Sequence, residues 1–159
     1  MKAYGEVDLG RANEKAGNID EAIRSYSTAA KLAPEYPASF VRLGILESRE
    51  KHDKEAGAAF THAEALYQAA SNLEGLAEID YQRGYAANTE GQLAQARQFL
   101  EKSLQAAHAI PSVQLEVRAL GRLSTTEYLS GNAEKSSELA NQAIQLRKRT
   151  GLSIGRQTD

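Results

Sequence analysis

A helical pattern of hydrophobic and polar positions occurs four times along this chain. In its first occurrence Ala22, Tyr26 and Ala29 are spaced by four and three residues, so they share one face of a helix. Gly17 marks a turn before this helix, because glycine readily adopts a positive φ, and Pro34 ends it by displacing the preceding residue from the α region. Small, large and small side chains on one face predict a surface that packs against another helix.

The same spacing returns at turn positions that are 34, 40 and 40 residues apart. These turn positions are Gly17, Lys51, Gly91 and Gly131, and they lead to face residues at Tyr26, Phe60, Leu100 and Ala140. Seven residues before each turn position stands a small residue: Gly10, Gly44, Gly84 and Ser124. A glycine within a helix costs about 1 kcal/mol relative to alanine, so we expect a neighbouring helix to approach closely at these positions.

The pattern predicts eight helices and no strands. The helices are expected at about 3–16, 19–33, 37–50, 53–70, 73–89, 92–109, 112–129 and 133–149. In the first helix we expect Leu9 and Ala12 to face the second helix. Gly151 is expected to stop the last helix, and residues 151–159, which have no periodicity, are expected to form a disordered tail.

These features resemble the tetratricopeptide repeat family, whose units are helix–turn–helix pairs of 34 residues. The resemblance rests on Leu9-Gly10, Gly17, Ala22, Tyr26, Ala29 and Pro34 in the first unit, and on Phe40, Leu43-Gly44, Ala56, Phe60 and Ala63 in the second. The third and fourth units depart from the pattern at Arg83 and Ser136, and their period resembles longer-helix variants of bacterial regulators and motor-associated proteins. The resemblance implies an all-α fold, a right-handed superhelical solenoid of about four antiparallel repeats. They would form one domain over residues 3–150, with units at about 3–36, 37–76, 77–116 and 117–150.

Composition narrows the functional classes. The net charge of −2 over 159 residues gives no general attraction to nucleic acid or anionic membranes. No apolar run approaches the ~18 residues of a membrane helix, and the first ten residues contain no signal-peptide core. The absence of cysteine excludes disulfides and permits a reducing compartment. We therefore expect a cytoplasmic protein that binds neither nucleic acid nor membranes.

No group of residues predicts catalysis, a metal or a cofactor. His52, His62 and His108 have no histidine partner one turn away, and the glycines stand singly rather than in a phosphate-binding loop. The basic run at residues 147–149 fits the last turn of a helix, where the macrodipole favours cations. We expect a protein without enzymatic activity.

The family resemblance implies a concave groove lined by the first helix of each hairpin. Its candidate residues are Arg11, Lys15, Arg42, Ile45, Arg49, Tyr81, Tyr85, Asn88, Arg118, Arg122, Thr125 and Tyr128. Arginine and tyrosine are frequent interface anchors, and the guanidinium fork suits carboxylates, so an acidic or C-terminal peptide would fit this groove. The alternative is that the arginines only solvate an exposed helix face while the tyrosines fill gaps between repeats.

Three functions remain open at this stage. The first is a scaffold that binds a protein or peptide segment in the groove. The second is a regulatory or sensor segment of a larger bacterial signalling protein, such as a kinase or a transcription regulator. The third is a structural module that self-associates through uncapped ends, since each unit of a repeat protein normally covers its neighbour. The last helix, with Leu139 and Ile144, has no following helix in the sequence to cover it.

Overall fold

Eight α-helices make up residues 2–151, the part of the chain that the computed structural model describes. They are α1 (Lys2–Ala16), α2 (Ile19–Leu32), α3 (Pro37–Arg49), α4 (Asp53–Ala69), α5 (Leu73–Thr89), α6 (Leu93–Ala109), α7 (Val113–Leu129) and α8 (Ala133–Thr150). These described residues contain no strand, which confirms the all-α prediction, and the helix bounds differ from the predicted ones only at their ends. The tail predicted over 151–159 lies outside the described residues except for Gly151.

The turns inside the four hairpins use left-handed backbone at the predicted positions. Gly17, Gly91 and Gly131 have φ values of 79°, 76° and 84°, which glycine adopts without steric cost. Lys51 takes the same conformation with φ 61° although it carries a side chain. Gly151 ends α8 with φ 67°, as predicted for a helix stop.

Within three hairpins a glycine of the first helix lies directly against a large side chain of the second. A Cβ added to this glycine would lie 2.5 to 2.8 Å from that side chain, closer than real Cβ contacts allow. The pairs are Gly10 with Tyr26, Gly44 with Phe60, and Gly84 with Leu100. This confirms the predicted close approach, and it explains why a glycine is kept in the middle of each helix.

The fourth hairpin distributes the volume differently. Ser124 stands in the glycine position, and the position of Tyr26 and Phe60 is occupied by the small residue Ala140. The hydroxyl of Ser124 donates a hydrogen bond of 2.8 Å to the backbone oxygen of Ser136 on α8. Compared with the other hairpins, the fourth thus has a larger residue on its first helix and a smaller one on its second.

The chain divides into two compact units, Met1–Ile79 and Asp80–Asp159, at a point inside α5. In the first unit, buried residues of α1, α2 and α3 form a cluster that includes Val7, Tyr26 and Leu46. In the second unit, Val117 and Leu120 of α7 pack with buried residues of α8. The single domain over residues 3–150 and its four units stay a prediction.

The prediction that Leu9 and Ala12 face α2 is wrong. Both are exposed, Leu9 by 51%, and the buried residues of α1 are Val7 and Gly10. The cause is the ring of Tyr26, which contacts α1 at Gly10 and so turns the neighbouring position Leu9 away from α2. A side chain one residue from a contact position points about 100° away around the helix.

Candidate functional site on α5 and α7

Two arginine–tyrosine pairs lie side by side in the second unit. Tyr81 and Tyr85 are four residues apart on α5, and Arg118 and Arg122 are four residues apart on α7, so each pair of positions shares a helix face. The guanidinium carbon of Arg118 lies 4.1 Å from the ring centroid of Tyr81, and that of Arg122 lies 4.0 Å from the centroid of Tyr85. The Nε of Arg122 also donates to the hydroxyl of Tyr81 at 3.2 Å. We call these four residues the Arg–Tyr ladder.

A hydrogen-bond network below the ladder fixes α5 against α7. The hydroxyl of Thr126 shares its single proton between the side-chain oxygen of Asn88 at 2.9 Å and the backbone oxygen of Arg122 at 3.0 Å. The amide nitrogen of Asn88 donates to the same backbone oxygen at 3.4 Å. Asn88 was predicted as a groove residue, and here it holds the helix that carries Arg122.

The electrostatic character of the ladder follows from its partial burial. Tyr81 is buried, whereas Tyr85, Arg118 and Arg122 are half-buried. A guanidinium over an aromatic face gains about 0.5–2 kcal/mol, more where water is excluded. Because arginine stays protonated in proteins, α7 presents two fixed positive charges whose planes are held in place by the rings.

Next to the ladder, α7 exposes a strip formed by Gly121, Thr125 and Tyr128. The spacing of four and three residues places them on one helix face, and Tyr128 is 69% exposed. A Cβ added to Gly121 would have no atom within 4 Å, so no contact among residues 2–151 accounts for a glycine at this helical position. The hydroxyl of Thr125 is bonded to the backbone oxygen of Gly121 at 3.2 Å. The strip is therefore open beside two oriented cations.

The predicted groove residues of the first unit are arranged differently. Arg42 forms an ion pair with Glu14, which also accepts a hydrogen bond of 3.1 Å from the hydroxyl of Tyr26. Burial raises the pKa of Tyr26, and the charge of Glu14 raises it further. Arg11 pairs with Asp8 on the surface at 3.4 Å. Arg42 thus serves as the counter-ion of a carboxylate that joins α1, α2 and α3.

The three other groove candidates of the first unit make no comparable cluster. Lys15 and Arg49 are exposed at the ends of α1 and α3. Ile45 is half-buried and packs against the cluster that contains Val41 and Phe60. Of the twelve predicted groove residues, those on α5 and α7 show the clearest site.

Sequence reasoning missed a buried carboxylate in the second unit. Glu127 on α7 is 1% exposed and accepts hydrogen bonds from the Nε of Arg97 on α6 at 2.6 Å and from Asn132 at 2.7 Å. The hydrogen bond from Arg97 holds the pKa of Glu127 below its usual range, and the bond from Asn132 adds to this effect. The partners are 30 residues apart, so helix periodicity gives no sign of their pairing.

The histidines take part in local contacts. His52 lies 2.6 Å from a carboxylate oxygen of Glu47, His62 stacks on the ring of Phe40, and His108 pairs with a glutamate of α7 at 2.9 Å. Across residues 2–151, no three His, Cys, Asp or Glu side chains are grouped in a way that could hold a metal ion. None of the eight helices has both the length and the apolar character needed to cross a membrane.

Comparison with known proteins identifies the repeats. A family model described as tetratricopeptide repeat matches residues 7–36 and 77–107. The crystal structure of BtubC (BKLC) from P. vanneervenii aligns with a TM-score of 0.84 at 13% identity, over 99% of this chain and 67% of that chain. A MamA RS-1 ArsTM double mutant aligns with a TM-score of 0.70 at 16% identity, over 95% of this chain and 78% of that one. At this identity the likeness concerns the fold, and it confirms the all-α repeat architecture. No curated protein matches the sequence.

Proposed function

Since this chain belongs to the tetratricopeptide repeat family, whose repeats are protein-interaction modules, we propose that it binds an acidic peptide segment on the face of α5 and α7. The Arg–Tyr ladder is the observation that carries this proposal. Its residues are Tyr81, Tyr85, Arg118 and Arg122.

The ladder suits carboxylates because its cations are oriented before a ligand arrives. A free arginine side chain loses up to ~2 kcal/mol of rotamer entropy when it is fixed, and stacking on a ring removes part of that loss in advance. Planar guanidinium groups bind carboxylates through paired hydrogen bonds, which are stronger than neutral ones. Arg118 and Arg122 are one helical turn apart, so they favour a ligand with more than one carboxylate.

The open strip supplies room for a peptide backbone. A helical glycine with no internal packing reason costs about 1 kcal/mol, and close approach of a partner chain would account for it at Gly121. The exposed ring of Tyr128 on the same face offers apolar area with little loss of side-chain entropy. The ladder would bind the charges, and the strip would receive the chain that carries them.

A peptide titration tests the charge requirement. Fluorescent peptides rich in Asp and Glu are titrated with the protein, and the same peptides with Asn and Gln serve as the neutral comparison. Arg122→Gln should weaken binding of the acidic peptides by about 10- to 150-fold, the equivalent of ~1.5–3 kcal/mol for a hydrogen bond to a charged group. Arg24→Gln is the matched control, because Arg24 is an exposed arginine that pairs with Glu21 on α2. Equal binding of neutral and acidic peptides would refute the proposal.

The strip is tested by steric substitution. Gly121→Leu should reduce peptide binding while the helix stays folded, because leucine is a better helix former than glycine. Gly57→Leu is the control, since Gly57 is also helical and exposed with no atom within 4 Å of an added Cβ. If both leucine variants bind peptides as the unchanged protein does, the strip is not the contact surface.

A further inference from the structure

On α1, two apolar residues are exposed although the residues at the equivalent positions of α3 are buried. We call the helix face that carries them the outer face of α1. In α3, Leu43 and Leu46 are 9% and 0% exposed, and both belong to the buried cluster that contains Ala30 of α2. Leu9 and Ala12 are the equivalent positions of α1, 34 residues earlier, and both are exposed. An apolar face that α2 covers on α3 is therefore uncovered on α1.

The outer face of α8 shows the complementary difference. Leu104 of α6 is half-buried because it packs against the cluster that contains Val117 and Leu120 of α7. Ile144 is the equivalent position of α8, 40 residues later, and it is 46% exposed. The equivalent position of α2 is Ala30, which is 7% exposed within the cluster shared with α3. The position is apolar in α2, α6 and α8 and charged in α4, where it is Glu64, and in α8 no helix among the described residues covers it.

We propose that a second copy of this chain covers these faces, with α8 of one copy packed on α1 of the next. The template is present in the chain itself, since α2 packs on α3 and α6 packs on α7 in the same order. In the geometry of α2 on α3, Ile144 of one copy meets Leu9 and Ala12 of the other. The contact continues the internal stacking of hairpins from one molecule to the next.

The polar positions of the template are compatible with this contact. Arg97 and Glu127 link α6 to α7, and their equivalents in α8 and α1 are Ser137 and Asn13. Both equivalents are neutral and able to hydrogen-bond, so the contact buries no charge at these two positions.

At one position the template pairs a histidine with a carboxylate, whereas the proposed contact would place two lysines there. His108 of α6 lies 2.9 Å from Glu116 of α7, and the equivalents are Lys148 of α8 and Lys2 of α1. Two cations facing each other would weaken the contact, more so at low salt. The contact is therefore weak enough to depend on protein concentration, and it has a defined position at which it can be strengthened.

The interface is heterologous because it joins two different faces. Such contacts form open chains or closed rings instead of stopping at a two-fold dimer. Blocking one face of a copy leaves its other face active. This property separates the proposal from any symmetric contact.

Sedimentation velocity of the full chain over a range of concentrations tests the contact. The unchanged protein should associate beyond the dimer, and Leu9→Glu or Ile144→Glu alone should weaken association at least about tenfold, a change of ~1.4 kcal/mol. Leu129→Glu is the matched control, because Leu129 is 51% exposed, the same fraction as Leu9, but lies at the end of α7. All three sites are on the surface, and circular dichroism checks that the helices are retained.

Two further measurements are specific for the heterologous arrangement. A mixture of the Leu9→Glu and Ile144→Glu variants should form a dimer that grows no further, because only one competent pair of faces remains. Lys148→Glu should strengthen association by pairing with Lys2 of the next copy. A monomeric chain at all concentrations, a mixture that stays monomeric, or an equal effect of Leu129→Glu would each overturn the proposal.

Discussion

The same substitution, glycine to alanine, should change stability in opposite directions at two helical positions of the first unit. Gly44 lies in α3 against the ring of Phe60, and a Cβ added there would lie 2.5 Å from the ring atom Cε1. Gly57 lies in α4, is exposed, and would have no atom within 4 Å of an added Cβ. Comparison of the two sites separates helix propensity from packing within one chain.

The expected magnitudes follow from two terms. Alanine in place of glycine stabilises a helix interior by about 1 kcal/mol at either position. At Gly44 the added methyl group also forces the ring of Phe60 to move, and overpacking of a filled core costs ~1–3 kcal/mol. Gly57→Ala should therefore raise the free energy of unfolding by about 1 kcal/mol, whereas Gly44→Ala should leave it unchanged or lower it by up to ~2 kcal/mol.

A double-mutant cycle identifies the ring as the cause. Phe60→Ala alone should cost ~3–5 kcal/mol, because it leaves a cavity between α3 and α4. In that background the methyl group of Gly44→Ala enters the vacated space, so the two changes should couple favourably by about 0.5–3 kcal/mol. The fourth hairpin already combines a larger residue, Ser124, with the smaller Ala140.

Urea denaturation followed by circular dichroism measures these differences, and thermal midpoints provide a second estimate. For a chain of this length, 1 kcal/mol corresponds to a shift of about 2–4 °C. If Gly44→Ala stabilises the protein as much as Gly57→Ala does, the glycine is not held by the ring of Phe60. The explanation for the repeated glycines would then be wrong.

Three other substitutions test single features of the structure. Lys51→Gly should stabilise the protein by about 0.5–1 kcal/mol in urea denaturation. The steric cost of a left-handed backbone for lysine is larger than the extra entropy that glycine loses on folding. A loss of stability would contradict the φ of 61° at this position. Glu127→Gln should cost about 1–3 kcal/mol at pH 7. The pKa of Glu127 is lowered in the folded protein, so the stability that this carboxylate contributes is present above the unfolded pKa of about 4.3 and is lost as pH falls through the folded pKa. The stabilities of the two proteins should therefore converge in acid. A stability difference that does not change with pH would exclude the ion pair with Arg97. The pKa of His52, measured by NMR, should lie above 6.5, because the hydrogen bond to Glu47 raises it. The stability that His52 contributes is present below the unfolded pKa and is lost as pH rises through the folded pKa. Glu47→Gln should lower the pKa of His52.

The elements of this fold were predictable because each is specified by residues close together in sequence. Positions such as Gly17 and Gly131 mark turns through their backbone freedom, and faces such as Ala22 with Tyr26 follow from helix periodicity. The close approach at Gly44 was predictable for the same reason, since a repeated glycine within a helix needs a packing cause. Local patterns therefore determine the helices and the contact inside each hairpin.

The contacts of each helix outside its own hairpin were harder to predict from the sequence. The direction of Leu9 was predicted wrongly, because periodicity defines which residues share a face but not which neighbour that face meets. The ion pair of Arg97 with Glu127 joins positions that look like ordinary helix-surface charges in the sequence. Arg122 and Tyr85 were predicted as groove candidates, but their stacking on each other was not predicted. The two residues lie on different helices and are more than 30 positions apart in the sequence.

The pairing of residue sizes inside each hairpin has a consequence for how such chains can be recombined. Gly44 leaves room for the ring of Phe60, whereas at the equivalent positions the larger Ser124 occurs together with the smaller Ala140. Exchange of α7 for α3 would place a serine against the phenylalanine ring, whereas exchange of a complete hairpin would carry both members of the pair together. A duplication or deletion that cuts between hairpins therefore preserves the packing inside each hairpin, and one that cuts at the turn within a hairpin does not. The hairpin, and not the single helix, is the smallest segment that this protein can exchange.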